Sequence, residues 1–154
     1  GVYFDTDVEA VRDITPLLNE EGIIGFENDQ FVNSGQIMAA VPHHPVVQAM
    51  IEEYRKLHYM QPDGSVTPVG CPRLNTDVME RFGLVRNGLE QSVAGIHVYP
   101  ADYFNPLDSA TGKLIKTENT YSIHWYSMSW QPKTTQIRVK IGRMIRRLRK
   151  AIHH

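Results

Sequence analysis

Two aspartates, Asp5 and Asp7, directly follow the short apolar segment of residues 2–4 at the start of this 154-residue chain. On an extended backbone alternate side chains share a face, so both carboxylates are expected to point the same way where a strand ends. Two close carboxylates repel each other unless a cation or a proton joins them. Oxygen ligands suit Mg²⁺ or Mn²⁺, which commonly link carboxylates to substrate phosphates. The pattern therefore predicts a metal–diphosphate site, and its alternative is a pair of solvated turn or capping residues.

The elements that must position these aspartates are indicated by the alternation of short apolar segments with amphipathic ones. Strands are predicted over residues 22–27, 36–41 and 95–99, and helices over 45–59, 74–82 and 137–152. Residues 8–18 are predicted to be a helical or turn segment, and 61–73 and 102–119 to be mostly loop. The length of the chain suits one domain, and the alternation predicts an α/β fold.

Charge is distributed unevenly along the chain. Residues 1–118 contain all 17 acidic residues and eight basic ones, a net charge of −9, whereas residues 119–154 contain the other eight basic residues and no acidic ones. Such a division indicates that the basic region meets an anionic partner. Residues 133–152 combine these charges with an apolar stripe, which predicts contact with an anionic membrane surface. The alternative is a solvated helix that docks on the core through its stripe, formed by Ile137, Ile141, Met144, Ile145, Leu148 and Ile152.

Several short motifs occur along the chain in an order that matches a known protein family. They are Gly25-Phe26-Glu27; Asn33 with residues 37–40; His44-Pro45; Gly70-Cys71-Pro72 with Leu74 and Thr76; Tyr99-Pro100 with Tyr103, Phe104 and Pro106; and residues 121–125 with Ser129 and Trp130. Together with the opening GVYFDTDVE, this set resembles glycosyltransferase family 32, which includes bacterial capsule and lipopolysaccharide sugar transferases and yeast mannosyltransferases. The resemblance spans nearly the whole chain to about residue 130, and the ordered set is far more specific than any one motif.

The resemblance implies a GT-A-like nucleotide-sugar transferase fold, with a mixed sheet flanked by helices in residues 1–132 and a basic amphipathic helix in residues 133–154. Family members usually carry a further N-terminal half before the D-x-D strand, so this chain is expected to be a C-terminal catalytic portion. The implied activity is metal-dependent transfer of a hexose from a UDP- or GDP-sugar, with retention of configuration. The implied acceptor is a polysaccharide or a lipid-linked glycan.

The implied location is the bacterial cytoplasm, peripheral to the inner face of the membrane. No apolar segment approaches the ~20 residues of a membrane span. Cys71 is the single cysteine, so an intrachain disulfide is impossible, which fits a reducing compartment.

The resemblance assigns the metal ligands by position. Asp5 and Asp7 would bind Mn²⁺ or Mg²⁺, and His124 would be the third ligand. The closing motif of the family often reads H-H-W, whereas here a single histidine precedes Trp125. The alternative for His124 is a core histidine satisfied by a tyrosine or a backbone group.

The resemblance also assigns residues to the donor. Ser127, Ser129 and Trp130 would close over the diphosphate as hydrogen-bond donors, and the alternative is the edge of an aromatic core. Glu27 and Asn33 would line the sugar pocket as catalytic residues, where a carboxylate can stabilise an oxocarbenium-like centre. Their alternatives are a helix cap or surface charge for Glu27 and a turn residue for Asn33.

Two other functions stay open at this point. One is a metal-dependent phosphohydrolase or phosphotransferase that uses the same aspartates. The other is a non-catalytic carbohydrate- or membrane-binding fragment that lacks the donor pocket. Nucleic acid is not an expected partner, because residues 1–118 are strongly acidic and no recognisable binding motif is present.

Overall fold

The computed structural model describes residues 1–58, 60–65, 69–127 and 133–152, with the side chains of 133–146 and 148 in the last range. The strands are β1 (Val2–Tyr3), β2 (Val8–Ala10), β3 (Gly22–Asn28), β4 (Phe31–Ala40), β5 (Gln91–Val93), β6 (Ile96–Tyr99) and β7 (Ser122–His124). The helices are α1 (Pro45–Arg55), α2 (Cys71–Glu80), α3 (Ala101–Phe104) and α4 (Lys133–Ile152), and Thr15–Leu17 form a 3-10 turn. The architecture is a mixed sheet flanked by helices, so the α/β prediction is confirmed.

Five strands form the main sheet, in the order β1-β4-β3-β6-β5. Strands β3 and β6 run parallel, and the other neighbours are antiparallel. The strands β3 and β4 are joined by a short turn in which the Asn28 side chain accepts from the N–H groups of Gln30 and Phe31. This side-chain cap stabilises the tight turn between β3 and β4, two neighbouring strands of the sheet.

Both faces of the sheet are covered by apolar side chains. Alternate residues of a strand point to opposite faces, so Ile24 and Phe26 meet the helices α1 and α2, whereas Ile23 packs with Tyr99 and Phe104 on the other face. The amphipathic stripe of α1 buries Val46 and Met50 in the first of these clusters. The core therefore holds β3 rigidly in the middle of the molecule.

A bulge interrupts the pairing of β3 with β4. Ile24 lies opposite Met38, but the next residue, Gly25, lies opposite Asn33, so residues 34–37 of β4 have no counterpart in β3. The buried Gln36 side chain donates to the carbonyl of Phe26 at 2.9 Å and replaces part of the missing ladder. Bulges of this kind redirect a strand locally. Here the bulge brings residue 35 towards the segment that follows β1.

A second, smaller sheet joins the two ends of the sequence. Strands β2 and β7 are antiparallel, with Val8 opposite His124 and Ala10 opposite Ser122. This pairing places the residues of β7 next to the aspartates near the N-terminus.

Several sequence-based expectations are corrected by these elements. The apolar segment before Asp5 was expected to be a strand, but β1 is only two residues long, lies at the sheet edge and exposes Val2 and Tyr3. The helical or turn segment predicted over residues 8–18 is confirmed for Thr15–Leu17 but is wrong for Val8–Ala10, which form β2 because they pair with a distant strand. The helix α2 begins at Cys71 rather than Leu74, with Pro72 in its first turn, where no N–H partner is needed. Strand β5 was not predicted.

Candidate metal centre

The two aspartates lie in a turn that follows β1. The N–H of Val8 donates to the carbonyl of Asp5 at 3.1 Å, which closes the turn between β1 and β2. Asp5 and Asp7 lie close together as the D-x-D spacing predicted, but a turn rather than an extended backbone brings their carboxylates together.

His124 joins these carboxylates from the end of β7. Its Nε2 lies 3.2 Å from Oδ1 of Asp7 and 3.8 Å from Oδ2 of Asp5. One ligand atom from each of the three residues lies within 4.8 Å of the other two. The group is partly shielded, since His124 is buried and both aspartates are partly exposed. Two carboxylates suit Mn²⁺ or Mg²⁺, and the imidazole makes Mn²⁺ the better match of the two, because Mg²⁺ strongly prefers oxygen ligands.

Asp7 is oriented by Ser127. Both the backbone N–H and the hydroxyl of Ser127 donate to Oδ2 of Asp7, at 2.7 and 3.0 Å. Burial opposes ionisation of Asp7, but these hydrogen bonds and the nearby His124 outweigh it and hold the pKa of Asp7 below its usual value. The residue that follows β7 is bonded to Asp7 as well, because the backbone N–H of Trp125 donates to the carbonyl of Asp7 at 3.0 Å. Oδ1 of Asp7 is left facing His124.

Asp5 is oriented by the sheet. The Tyr3 hydroxyl donates to Oδ1 of Asp5 at 2.8 Å, and this bond is the main reason that the pKa of Tyr3 is raised. The backbone N–H of Asp5 donates to the carbonyl of Gly35 at 2.8 Å. A side chain on Gly35 would collide with Oδ2 of Asp5, so the absence of a Cβ at this bulge residue leaves space for the carboxylate. Oδ2 is the oxygen that faces His124.

Glu27 and Asn33 lie beside this centre and are bonded to each other. The amide of Asn33 donates to Oε2 of Glu27 at 3.0 Å, and Oδ1 of Asn33 accepts from the N–H of Gly35 at 2.8 Å. A continuous path of hydrogen bonds therefore runs from Glu27 through Asn33 and Gly35 to Asp5. This placement differs from the surface-charge and turn alternatives, because Asn33 is buried and Glu27 is partly buried.

The ionisation of Glu27 is controlled by its surroundings. Burial is the largest influence and raises the pKa of Glu27 above its usual value, although Asn33, His124 and Tyr126 act in the opposite direction. A carboxyl group whose pKa is raised beside charged partners in a cleft is a common feature of functional sites.

Tyr126 supports the imidazole of His124. The two rings stack with their centroids 4.1 Å apart, and the Tyr126 hydroxyl donates to Oδ1 of Asn105 at 2.9 Å. Tyr126 has a φ of 50°, in the left-handed region that aromatic residues rarely adopt. His124 is thus not the tyrosine- or backbone-bonded core histidine of the alternative hypothesis. Its Nδ1 is buried without a hydrogen-bond partner among the described residues, while Nε2 faces the carboxylates.

Two predicted donor-binding residues, Ser129 and Trp130, lie outside the described residues. Ser127, the third member of that group, is placed against Asp7. The indole N–H of Trp125 donates to Glu9 at 2.9 Å, and its side chain is partly exposed beside the centre.

Sequence reasoning missed three residues that shape the centre: Tyr3, Gly35 and Tyr126. Tyr3 was interpreted only as part of a strand, although its spacing from Asp5 puts both on one side of an extended segment. Gly35 gave no signal, since its role depends on a bulge between distant residues. Tyr126 lies one residue beyond the Trp125 of the closing motif, and only its positive φ distinguishes it.

Comparisons with known proteins give no relative for this arrangement. No protein-family model, curated protein or solved structure matches the chain. The function is therefore inferred from the geometry of the candidate metal centre and from the order of motifs along the chain.

Proposed function

We propose that the chain is the catalytic portion of a metal-dependent glycosyltransferase with a GT-A-like fold, of the kind grouped in family 32. It transfers a hexose from a UDP- or GDP-sugar to a polysaccharide or lipid-linked glycan, with retention of configuration. The observation that carries this proposal is the convergence of Asp5, Asp7 and His124, from opposite ends of the sequence, within 4.8 Å of one another.

The orientation of the three candidate ligands suits a divalent ion, in addition to their residue types. Ser127 occupies Oδ2 of Asp7 and Tyr3 occupies Oδ1 of Asp5, so each carboxylate keeps its other oxygen for the shared centre. Hydrogen bonds to ligating groups fix their orientation and tune metal affinity. Such pre-orientation supports a built site more than a chance group of surface acids.

Breaking the bond between a sugar and a diphosphate builds negative charge on the leaving oxygens. A divalent ion bound at Asp5, Asp7 and His124 would stabilise that charge as a Lewis acid. Ser127 holds Asp7 in its ionised, ligating form through two hydrogen bonds, so the ligand needs no rearrangement when the donor arrives.

Glu27 and Asn33 form the sugar-facing part of the proposed site. Their hydrogen-bond path to Gly35 and Asp5 holds them in position relative to Asp5, the proposed metal ligand. Carboxylate and amide groups bind sugar hydroxyls, and a carboxylate beside the anomeric carbon stabilises an oxocarbenium-like centre. Retention of configuration is proposed from the resemblance to family 32.

Calorimetric titration with UDP- and GDP-hexoses, with and without Mn²⁺, tests the proposal. We expect donor binding that requires Mn²⁺ and is lost in Asp7→Ala. Asp13→Ala is the matched control, because Asp13 is a carboxylate of the same N-terminal region that bonds only Thr15 in the described structure.

The outcomes separate the proposal from its rivals. Donor binding that is unchanged by Mn²⁺ and by Asp7→Ala would favour a non-catalytic carbohydrate-binding fragment and contradict the proposal. Release of free sugar or phosphate, with no glycosylated product when acceptor glycan is supplied, would favour a hydrolase and also contradict it.

A further inference from the structure

The apolar stripe of α4 is largely exposed, with Met144 at one edge beside a cavity that Leu107 also lines. The side chains of the stripe expose between 42% and 57% of their surface, and they are Ile137, Ile141, Met144, Ile145 and Leu148. A helix that docked on the core through this stripe would bury these side chains. The docked-stripe alternative from the sequence analysis is therefore wrong for the described side chains, and the stripe needs another partner.

The polar side of α4 attaches the helix to the body of the protein. Nε of Arg143 donates to the carbonyl of Ser109 at 2.9 Å, and Nε of Arg146 donates to the carbonyl of Ala110 at 2.6 Å. Successive residues of an α-helix are about 100° apart around its axis, which puts both arginines outside the apolar stripe and largely opposite it. The helix therefore contacts the body of the protein through the side opposite its apolar stripe, and most of the stripe faces outward.

Exposed cations border the outward side. On the same helical projection, Arg138 lies along one border of the stripe and Lys140 along the other. Both are exposed, and neither forms an ion pair with the described residues. Residues 119–154 contain no acidic residue at all. The outward side of α4 therefore combines a continuous apolar strip with unneutralised positive charge.

We propose that α4 binds an anionic membrane surface, with its stripe in the acyl boundary and Arg138 and Lys140 at lipid phosphates. A helix with an apolar stripe bordered by cations lies in the plane of the interface, and each basic residue near an anionic leaflet adds to its binding. An acidic protein partner would match the charges, but it would not need an apolar strip over this length. A membrane surface matches both.

The helix α4 lies beside a cavity that reaches the residue next to His124. A cavity of about 450 Å³ lies between α4 and the loop of residues 107–112, along the border of the stripe where Lys140 and Met144 lie, and Arg143 and Trp125 also line it. Trp125 directly follows His124, so this cavity connects α4 with the segment that carries one of the candidate metal ligands. The membrane contact itself does not depend on the proposed chemistry.

Co-sedimentation of the full chain with vesicles tests the inference. One set of vesicles is pure phosphatidylcholine, and the other contains equal parts of phosphatidylcholine and phosphatidylglycerol, both without Mn²⁺. We expect binding to the anionic vesicles only. The double substitution Arg138→Gln and Lys140→Gln should lower the partition coefficient on the order of 25-fold, as about 1 kcal/mol per basic residue implies.

Two further variants complete the design. Ile141→Ser with Ile145→Ser should lower anionic-vesicle binding by at least about ten-fold, since burial of two large side chains is lost. Arg55→Gln with Arg73→Gln removes two exposed charges from α1 and α2 and should leave binding unchanged. Circular dichroism of every variant confirms that the fold is retained.

Three results would overturn the inference. The first is equal sedimentation with both vesicle types. The second is an equal loss of binding in the control pair on α1 and α2, which would make net charge rather than α4 responsible. The third is self-association without vesicles that the Ile141→Ser and Ile145→Ser pair abolishes, which would assign the stripe to a second copy of the chain.

Discussion

Ser127 donates two hydrogen bonds to a single oxygen, Oδ2 of Asp7, across a sequence separation of 120 residues. The same aspartate turns its other oxygen, Oδ1, towards His124 at 3.2 Å. One carboxylate therefore connects the C-terminal segment, through Ser127, with the candidate metal centre. This division of the two oxygens is what distinguishes Asp7 from an ordinary surface aspartate.

The hydroxyl of Ser127 should tune metal affinity. Ser127→Ala removes one of the two bonds to Asp7 but keeps the backbone N–H, so the carboxylate is held less firmly. We expect Mn²⁺ affinity to fall about ten-fold, at the lower end of the effect of groups that orient metal ligands. Calorimetric titration with Mn²⁺ measures it. Ser65→Ala is the control, since Ser65 makes the same pair of bonds to Asp63 in a distant loop. Equal affinity in wild type and Ser127→Ala would contradict this role.

Gly35 should be essential for the position of Asp5. In Gly35→Ala the new methyl group collides with the Asp5 carboxylate and approaches Oδ1 of Asn33 at 3.1 Å. We expect a loss of about 1–3 kcal/mol in the free energy of unfolding, as for other overpacked sites, together with weaker Mn²⁺ binding. Urea unfolding and Mn²⁺ titration measure the two effects.

The control for Gly35→Ala is Gly142→Ala on α4. There the nearest atom to the added methyl is the end of the flexible Arg146 side chain at 3.4 Å, and alanine favours a helix. The control should be neutral or slightly stabilising. If Gly35→Ala bound Mn²⁺ as tightly as the control, Gly35 would not be shaping the centre.

Glu27 should make stability depend on pH. Burial raises the pKa of Glu27 in the folded chain above its usual value near 4.5, and it outweighs the opposing effects of Asn33, His124 and Tyr126. The folded state therefore binds the proton more tightly, so this contribution to stability is fully present below about pH 4.5 and is lost as pH rises through the folded-state pKa.

The neutral variant Glu27→Gln should not lose stability in this way as pH rises. Its free energy of unfolding relative to wild type is expected to increase from pH 4 towards pH 7, as measured by urea unfolding in the absence of metal. Asp13→Asn is the control with the opposite sign, because hydrogen bonds from Thr15 lower the pKa of Asp13. The contribution of Asp13 to the free energy of unfolding is present above the usual Asp13 pKa and is lost as pH falls. A pH-independent difference between wild type and Glu27→Gln would refute the assignment.

The parts of the fold that depend on local pattern could be predicted from the sequence. The stripe of α1 and the apolar segment of β3 were found because hydrophobic periodicity survives in the folded chain. The bulge at residues 34–37 could not be found, since it depends on the register between two strands. Strand β2 was missed for the same reason, because its partner β7 lies more than a hundred residues away.

The candidate site shows the same limit. The spacing of Asp5 and Asp7 indicated a shared direction, and the structure brings His124 to them as the motif order predicted. Metal binding by this group stays a prediction. The contacts that orient the group come from Tyr3, Gly35 and Ser127, and they arise from a turn, a bulge and a loop. None of these has a sequence period, so the supporting residues could be identified only in three dimensions.

Mn²⁺ titration of the wild-type chain and of Asp5→Ala, Asp7→Ala and His124→Ala, without any nucleotide, tests the central claim most directly. Calorimetry should detect one Mn²⁺ site in the wild type and in the control Asp13→Ala. Each of the three ligand variants should weaken it by at least about 100-fold, because changes to groups that only orient a ligand already cost 10–100-fold. If the wild type bound no Mn²⁺, or if the three variants bound it as tightly as the control, the metal centre and the function built on it would be contradicted.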